Sequence, residues 1–569
     1  MASKQVDPVL VQVVRNALDS VAEQMSVTIR RTAYSTIIRE VLDYATALFD
    51  DQGRLIAQSS RIPIFVNAMG PTLRFVLENT VPLDQWEEGD VFLVNDPYLG
   101  GSQHLPDLVT FTPVFHGDKL IGVAGAIAHH VDIGGSSPGG YNLRATEIFQ
   151  EGLRIPPVRL YHRGKLVADM KKLITANMRI PELTWGDIEA QLAAMKIGVR
   201  GMVELLDQYG GATVDSCVEE LLNYSDRMMR HGISQIPDGS YEFEDFLDDD
   251  GISADPIKIK VKLSITGDHL TADFTGTDGQ RPCPINGSKT MITAAVHYAV
   301  MAAVAPDAPL NEGCFRPIEI VAPEGSVVNC LPPAPVVGRI AVCHRTCDAV
   351  LGALAKALPG RIPAAYYGMS NIYCLSGRWE GGAPWILFEV GVGGWGGRPR
   401  VDGIEACSAH IHNVANTPVE MLERLYPVRV RQYALRPDSG GAGQYRGGCG
   451  YVREIELVKG QAALSVHSDR MRIAPYGVEG GGPGMTAEWL INPGEASERR
   501  LTGKEAGVTM MGSDVLSIHT QGGGGYGDPR SRRSDAIERD LAEGKITPDA
   551  AKHLYHYTGN PPAKAGGRS

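Results

Sequence analysis

The sequence of 569 residues has none of the patterns that mark a secreted, membrane-spanning or disulfide-bonded chain. Its nine cysteines are scattered and form no CxxC pair, which is typical of reduced thiols. The opening MASKQVDPVL lacks the basic lead and the apolar core of a secretory leader. The longest apolar run, Met291–Ala305, is shorter than the ~20 residues that a membrane span needs. We therefore expect a cytoplasmic protein that makes no membrane contact, with a buried helix at this run.

Positive charge and nucleotide-binding motifs are also scarce. The net charge of −12, without a basic stripe, argues against nucleic acid as a partner. There is no GxxxxGK[ST] sequence, and the similar run LTGKEAG at 501–507 has glutamate after its lysine. Residues 135–139 match GxSxG, but Pro138 and the glycines after it predict a loop instead of the strand–turn–helix that a nucleophile needs. The chain therefore shows no recognisable centre for ATP hydrolysis or serine catalysis.

Histidine and carboxylate are concentrated in one stretch, NDPYLGGSQHLPDLVTFTPVFHGDKLIGVAGAIAHHVDIGG, which also has the pattern of a β-hairpin. If Gly117–Asp118 is the two-residue loop, position 107 faces 128 and position 106 faces 129. Asp107 and His129 then meet at the open end of the hairpin, and His104 lies near enough to reach the same point.

Two imidazoles and a carboxylate at one end of a sheet suit zinc, iron or manganese. No cysteine lies nearby that would make this a closed structural zinc site. The alternative is that these are polar residues of a turn-rich region, and the spacing by itself leaves both interpretations open.

The rest of the chain predicts an α/β (mixed α+β) protein. We expect a large multi-layer structure with a long N-terminal helix after Asp7–Pro8, mixed and antiparallel sheets, and many loops built from its 66 glycines. Periodicity and glycine content divide the sequence into three regions. These are an N-terminal region with the candidate metal site and a helical segment (1–235), a glycine-rich sheet-containing region (236–530), and a C-terminal helical pair and tail (531–569).

Several motifs, in order along the chain, resemble the B subunits of the hydantoinase/oxoprolinase family. This family includes ATP-dependent hydantoinases, caprolactamase and the large subunits of acetone-type carboxylases. The resemblance lies in NDPYLGGSQHLPD with AHHVDIGG and continues in LDYATALFDDQGRLIAQ (42–58), EIFQEGLRIPPVRL (147–160), DFTGTDGQ (273–280), PPAPV (332–336), LRPDSGGAGQYRGGCG (435–450), SDRMRIAPYGVEGG (468–481) and GGGGYGDP (522–529).

The resemblance implies a set of site residues. On local grounds Asp43 is a turn or N-cap residue, but the matching family aspartate joins the metal ligands. One divalent ion, zinc or manganese with iron as a further option, is then held by Asp43, His104, Asp107 and His129.

Four further residues are expected around this ion. His130, next along the strand, should point to the opposite face and act in catalysis from behind the ligands or from the substrate side. The glycine-rich run 134–144 is expected to line the mouth of the site. In it Tyr141 and Asn142 would bind the substrate, and Arg144 would take part in catalysis.

The function implied by the resemblance is that of one component of an ATP-dependent cyclic amide hydrolase, which opens a hydantoin, 5-oxoproline or lactam ring. ATP and Mg²⁺ are then expected on a partner ATPase A subunit, in an A2B2 hetero-oligomer. Two alternatives stay open: a component of an ATP-dependent ketone carboxylase, and a non-catalytic scaffold for the ATPase subunit. The length of 569 residues favours hydrolysis, because acetone-type large subunits are considerably longer.

Two other groups of residues have simpler explanations. His410 and His412 have the form of metal ligands, but without a closely spaced acidic partner a packed strand is the favoured prediction. Arg470 and Arg472 have the charge to bind an anionic substrate, and surface charge is the default prediction for both.

Overall fold

A computed structural model describes residues 6–559, and the predicted C-terminal tail lies largely outside this range. The chain forms two compact units, each made of separate sequence segments. Unit 1 contains residues 1–242, 260–350 and 410–417, and unit 2 contains residues 243–259, 351–409 and 418–569. Residues 260–350, which the sequence texture groups with the second region, thus belong to unit 1, and the C-terminal helices belong to unit 2.

The helices fit the predicted mixed architecture. Asp7 caps the first one, where its side chain accepts a hydrogen bond from the Val9 amide, and proline follows at the first helical position. No helix among the described residues is long and apolar enough to cross a membrane. The helices are α1 (Pro8–Thr32), α2 (Thr36–Arg39), α3 (Pro63–Asn79), α4 (Ala168–Ala176), α5 (Pro181–Tyr209), α6 (Gly211–Ile233), α7 (Lys289–Val304), α8 (Ile340–Ala357), α9 (Val419–Leu425), α10 (Ser534–Ala542) and α11 (Pro548–Tyr555).

The strands are mostly antiparallel, and only β10 and β11 form a parallel pair among the described strands. They are β1 (Tyr44–Phe49), β2 (Leu55–Gln58), β3 (Val91–Val94), β4 (Asp107–His116), β5 (Lys119–His129), β6 (Val158–His162), β7 (Lys165–Leu166), β8 (Gly239–Leu247), β9 (Ile257–Thr266), β10 (His269–Asp273), β11 (Ile318–Val321), β12 (Asn371–Arg378), β13 (Pro384–Gly391), β14 (Val428–Leu435), β15 (Tyr451–Leu457), β16 (Gln461–His467), β17 (Glu488–Ile491), β18 (Arg499–Arg500), β19 (Lys504–Met511) and β20 (Val515–His519).

The largest sheet lies in unit 1 and has the strand order β2-β1-β5-β4-β3-β6-β7. Its two faces meet different helices. On β5, the even-numbered Ala124 lies against Gly198 of α5. The odd-numbered residues face the other way, on the side where Leu55 of β2 packs against Gly70 of α3. Even-numbered residues in this part of β5 therefore lie on the face toward α5, and odd-numbered residues lie on the face toward α3.

The predicted hairpin forms β4 and β5, and its loop is Gly117–Asp118 because His116 pairs with Lys119. The predicted register is wrong beyond the first two pairs. Val114 pairs with Gly122 and Phe115 with Leu120, so Ile121 is an extra residue that makes a β-bulge. From the bulge to the open end the register is shifted by one residue.

The shift decides which side chains share a face. In the unbulged register, Asp107 would face Ala128, and His129 would lie on the opposite face of the sheet. With the bulge, Asp107 pairs directly with His129, and both side chains belong to the same face. The two candidate ligands therefore come together through the extra residue at Ile121.

The glycine-rich segments of unit 2 pack backbone against backbone. A Cβ on Gly522 would lie 1.9 Å from the Ser439 carbonyl oxygen, and one on Gly523 would lie 1.9 Å from the Trp395 carbonyl oxygen. The same segments are joined by backbone hydrogen bonds, such as the one from Gly523 to Gly448 at 3.0 Å. The backbone of Gly522 and Gly523 does not have a positive φ, so glycine is required here for close approach.

We expect Gly523→Ala to destabilise unit 2 by at least about 3 kcal/mol, because the new methyl group overlaps a backbone carbonyl that cannot move freely. The matched control is Gly381→Ala, since no atom lies within 4 Å of a Cβ at that position. Thermal unfolding monitored by circular dichroism measures both effects. Equal midpoints for the two variants would contradict the packing argument.

Candidate metal centre

Three neighbouring strands place the predicted ligands in a row on one face of the sheet. Asp107 begins β4, His129 ends β5, and the two form a cross-strand pair. Asp43 precedes β1 and extends the register in which Tyr44 pairs with Ala128, so it lies opposite His129. The His129 amide accordingly donates to the Asp43 carbonyl oxygen at 3.0 Å.

His104 reaches the same point from the turn before β4. The Asp107 amide donates to the His104 carbonyl oxygen at 3.2 Å, which closes the turn. His104 Nε2 then lies 2.9 Å from Asp107 Oδ1, and His129 Nδ1 lies 3.2 Å from the same oxygen. Each of the three residues offers a ligand atom within 4.8 Å of the others. Two imidazoles thus converge on a single carboxylate oxygen.

All three side chains are buried. The ring nitrogens of His104 have no hydrogen-bond partner of good geometry among the described residues. Burial lowers the pKa of His104 to about 3, so its imidazole is neutral near pH 7. A buried neutral imidazole with unsatisfied nitrogens is the form of histidine that binds metal. The donor set therefore fits a divalent ion.

The carboxylates of the site differ in charge state. Burial would raise the pKa of Asp107, but its interaction with His104, the charge of Arg339 and hydrogen bonds from the two imidazoles outweigh burial and hold the pKa well below its usual range. Burial raises the pKa of Asp43 to about 6, and the nearby charge of Asp107 acts in the same direction. Asp43 lies outside the group of three whose ligand atoms converge, although the strand register places it beside His129.

Arg339 is a site residue that the sequence patterns did not indicate. Its Nη2 donates to Asp107 Oδ2 at 2.8 Å and to Gln103 Oε1 at 3.1 Å, and its side chain is only 5% exposed. It immediately precedes α8 and lies more than 200 residues from Asp107 in sequence. It is three residues beyond the PPAPV motif, which was the signal available in the sequence.

His130 lies on the other side of the sheet, as predicted from its position next to His129. Its Nε2 is 2.9 Å from Gln191 Oε1 on α5, and Gln191 also donates to the carbonyl oxygens of Leu108 and Ala126. Gln191 thus connects the His130 ring to β4 and β5 on the face of the sheet opposite the candidate ligands. A catalytic role for His130 stays a prediction.

The glycine-rich loop 134–144 packs close to the ligands. A Cβ on Gly140 would lie 3.6 Å from the Pro106 ring, next to Asp107. Tyr141 is buried, and burial together with the charges of Glu151 and Asp107 raises the pKa of its hydroxyl, although Arg339 opposes this. Asn142 is half-buried and donates to Ser136 at 2.8 Å, and Arg144 is exposed. Their substrate and catalytic roles stay predictions.

Another group of potential ligands, Glu87, Asp90 and His162, lies in the same unit. Asp90 accepts hydrogen bonds from Arg159 at 3.0 Å and from the Arg163 amide at 2.9 Å. The carboxylate is thus saturated by arginine and backbone donors, which is the pattern of a structural ion network.

Two predictions about other residues are wrong. His410 and His412 lie in and next to a turn, where His410 has a φ of 53°, and not in a packed strand. Burial lowers the pKa of His412 to about 3, and the charge of Arg339 adds to the effect. Arg470 is buried and makes two hydrogen bonds to Asp245, at 2.6 and 3.2 Å, so it is not a surface charge.

Sequence comparisons agree with the resemblance seen in the motifs. The hydantoinase B/oxoprolinase family model matches residues 7–529. The B subunit of a putative D-/L-hydantoinase of Pseudomonas sp. (strain NS671) is 34% identical over 576 residues, with 98% of this chain and 96% of that protein covered. The beta subunit of caprolactamase from Pseudomonas jessenii is 32% identical over 567 residues, with 97% and 96% covered.

Solved structures show the same fold. The crystal structure of ATP-dependent caprolactamase from Pseudomonas jessenii matches with a TM-score of 0.92 and 31% identity, covering 99% of this chain and 98% of that one. A nucleotide-free acetone carboxylase matches with a TM-score of 0.89 and 19% identity, covering 96% and 79%, which shows a common fold alone. Since the family model and these relatives span almost the whole sequence, the chain belongs to the hydantoinase B/oxoprolinase family.

Proposed function

We propose that this chain is the metal-binding subunit of an ATP-dependent hydrolase that opens a cyclic amide, such as a hydantoin, 5-oxoproline or a lactam. The observation that carries the proposal is the buried convergence of His104 and His129 on Asp107 Oδ1. It occurs in a chain that aligns over nearly its full length with the B subunit of a hydantoinase and the beta subunit of a caprolactamase.

The ion would be held by Asp43, His104, Asp107 and His129. Imidazole and carboxylate donors without thiolate suit zinc or manganese, and also iron. Such an ion supplies Lewis acidity, which polarises a carbonyl oxygen or a water molecule. The neutral form of His104 and the ionised form of Asp107 are the protonation states that binding requires.

The energy for ring opening would come from a partner. An amide carbonyl is a poor electrophile, and phosphorylation of its oxygen by ATP creates a good leaving group. The sequence has no phosphate-binding GxxxxGK[ST] motif, and its relatives are named as B or beta subunits. We therefore place ATP and Mg²⁺ on an ATPase A subunit, in an A2B2 hetero-oligomer.

The loop 134–144 would form the mouth through which the activated ring reaches the ligands. A phosphorylated amide reacts with water, so its transfer is productive only in a site that excludes solvent. The buried Tyr141, close to Asp107, would contact the ring together with Asn142, and the exposed Arg144 would meet the incoming phosphorylated group. His130 would support His129 from the opposite face.

The first expected outcome concerns the metal. His129→Ala should lose the bound ion and abolish ring opening without unfolding the chain, because the three proposed ligands that remain cannot hold the ion tightly. His130→Ala should keep the metal, since that ring contacts α5. His297→Ala is a matched control for removing a buried imidazole, because His297 stacks on Phe315 elsewhere in unit 1. Elemental analysis and circular dichroism check the three variants, and full metal content in His129→Ala would refute the assignment.

The second expected outcome concerns the partner. The purified chain should neither consume ATP nor open hydantoin, 5-oxoproline or caprolactam, and addition of the ATPase subunit should establish both activities. ATP consumption and ring-opened product are measured in the same reaction. Ring opening with ATP by the chain alone would contradict the assignment of ATP to a partner subunit. A requirement for bicarbonate with a carboxylated product would instead show a ketone carboxylase, and full activity of metal-free protein would show a scaffold.

The third expected outcome concerns the loop. Arg144→Ala should uncouple the two activities, so that ATP is still consumed while product formation falls, because the intermediate escapes to water. Arg200→Ala on α5 is the control, since that arginine is similarly exposed and, among the described residues, forms an ion pair with Glu204 on its own helix. The ratio of product to ATP consumed is the readout. An unchanged ratio in Arg144→Ala would exclude this arginine from the transfer step.

A further inference from the structure

The Asp107 carboxylate uses its two oxygens differently. Oδ1 faces the two imidazoles, at 2.9 Å from His104 and 3.2 Å from His129, while Oδ2 accepts from Arg339 at 2.8 Å. Gln103 accepts from the same Arg339 nitrogen at 3.1 Å, which fixes the guanidinium in a second direction. The bond from Arg339 to one oxygen fixes the orientation of the carboxylate group, so that the other oxygen is directed toward the histidines.

The segment that leads to Arg339 is itself tied down at each residue from 333 to 338. Glu151 Oε1 accepts hydrogen bonds from two successive amides, and burial raises the pKa of the Glu151 carboxyl to about 8. The other bonds join this segment to other parts of unit 1. The anchors are Ile148 N to Pro333 O at 2.9 Å, Tyr98 Oη to Ala334 O at 2.5 Å, Asn286 Nδ2 to Pro335 O at 2.9 Å, Val336 N and Val337 N to Glu151 Oε1 at 2.8 Å each, and Gly338 N to Pro284 O at 2.6 Å.

We propose that Arg339 is a positioning residue, which fixes the Asp107 carboxylate with Oδ1 toward His104 and His129, and that Glu151 holds the 336–337 amides so that Arg339 reaches it. The proposal rests on the proposed metal site. Two effects of the arginine oppose each other: its positive charge repels a divalent ion, and its hydrogen bond orients a ligand. Groups that orient metal ligands typically contribute about 10- to 100-fold in affinity. Orientation prevails here because Arg339 bonds Oδ2, the oxygen turned away from the histidines.

The test is the affinity of the metal-free full-length chain for Zn²⁺, measured by competition with a chromophoric chelator. Arg339→Gln should bind Zn²⁺ about 10- to 100-fold more weakly than the unmodified chain. Arg339→Lys should show a smaller loss, because lysine keeps a donor for Asp107 Oδ2 but lacks the planar fork that also bonds Gln103. An affinity equal to or higher than that of the unmodified chain in Arg339→Gln would overturn the proposal.

A matched control separates orientation from loss of a buried ion pair. Arg453 and Glu389 form such a pair in unit 2, at 3.1 Å and with side chains 2% and 1% exposed. Arg453→Gln should therefore lower the thermal midpoint but leave Zn²⁺ affinity unchanged. If it weakens Zn²⁺ binding as much as Arg339→Gln does, the effect is general destabilisation and the positioning role is refuted.

Glu151 provides the second variant pair. Glu151→Gln keeps an oxygen that accepts both amides and should keep Zn²⁺ affinity, whereas Glu151→Ala removes the acceptor and should weaken it. Equal affinities in the two variants would refute the role of Glu151. If the unmodified chain itself binds no metal under these conditions, the proposed function fails; if it binds and only the variants behave unexpectedly, the positioning proposal fails alone.

Discussion

The candidate site depends on one buried negative charge, the Asp107 carboxylate. Removing an ionised carboxylate from water costs several kcal/mol unless hydrogen bonds and opposite charges compensate. Here the positive charge of Arg339 lies against one oxygen of Asp107, and the two imidazoles contact the other oxygen. The arrangement brings together three parts of the chain that are distant in sequence. These parts are the start of β1, the open end of the β4–β5 hairpin and the segment before α8, and they meet at one place in unit 1.

Local patterns in the sequence predicted a large part of this arrangement. The capped N-terminal helix, the hairpin with its Gly117–Asp118 loop and the buried helix α7 all follow from periodicity and turn chemistry. The extra residue at Ile121 did not, because a bulge is selected by pairing with neighbouring strands as much as by its own sequence. Here β5 also pairs with β1 from Val123 to Ala128, which fixes its register independently of the turn.

Charged residues were the hardest to place. Nothing local distinguishes Arg339 from a surface arginine, since its partners Gln103 and Asp107 lie more than 200 residues earlier. Arg470 was assigned to the surface for the same reason, although Asp245 pairs with it in the interior of unit 2. The excess of glycine was easier to interpret. Its use for close approach of backbones was expected, whereas the carbonyl oxygens that face each glycine are set by long-range packing.

The double pairing of β5 has a consequence for variation in chain length. The bulge lies between the turn and the part of β5 that β1 holds in register. Residues gained or lost equally on both strands at the tip of the hairpin would therefore leave Asp107 opposite His129. The far end of the hairpin can differ in length among related proteins through changes that keep the one-residue excess of β5 over β4.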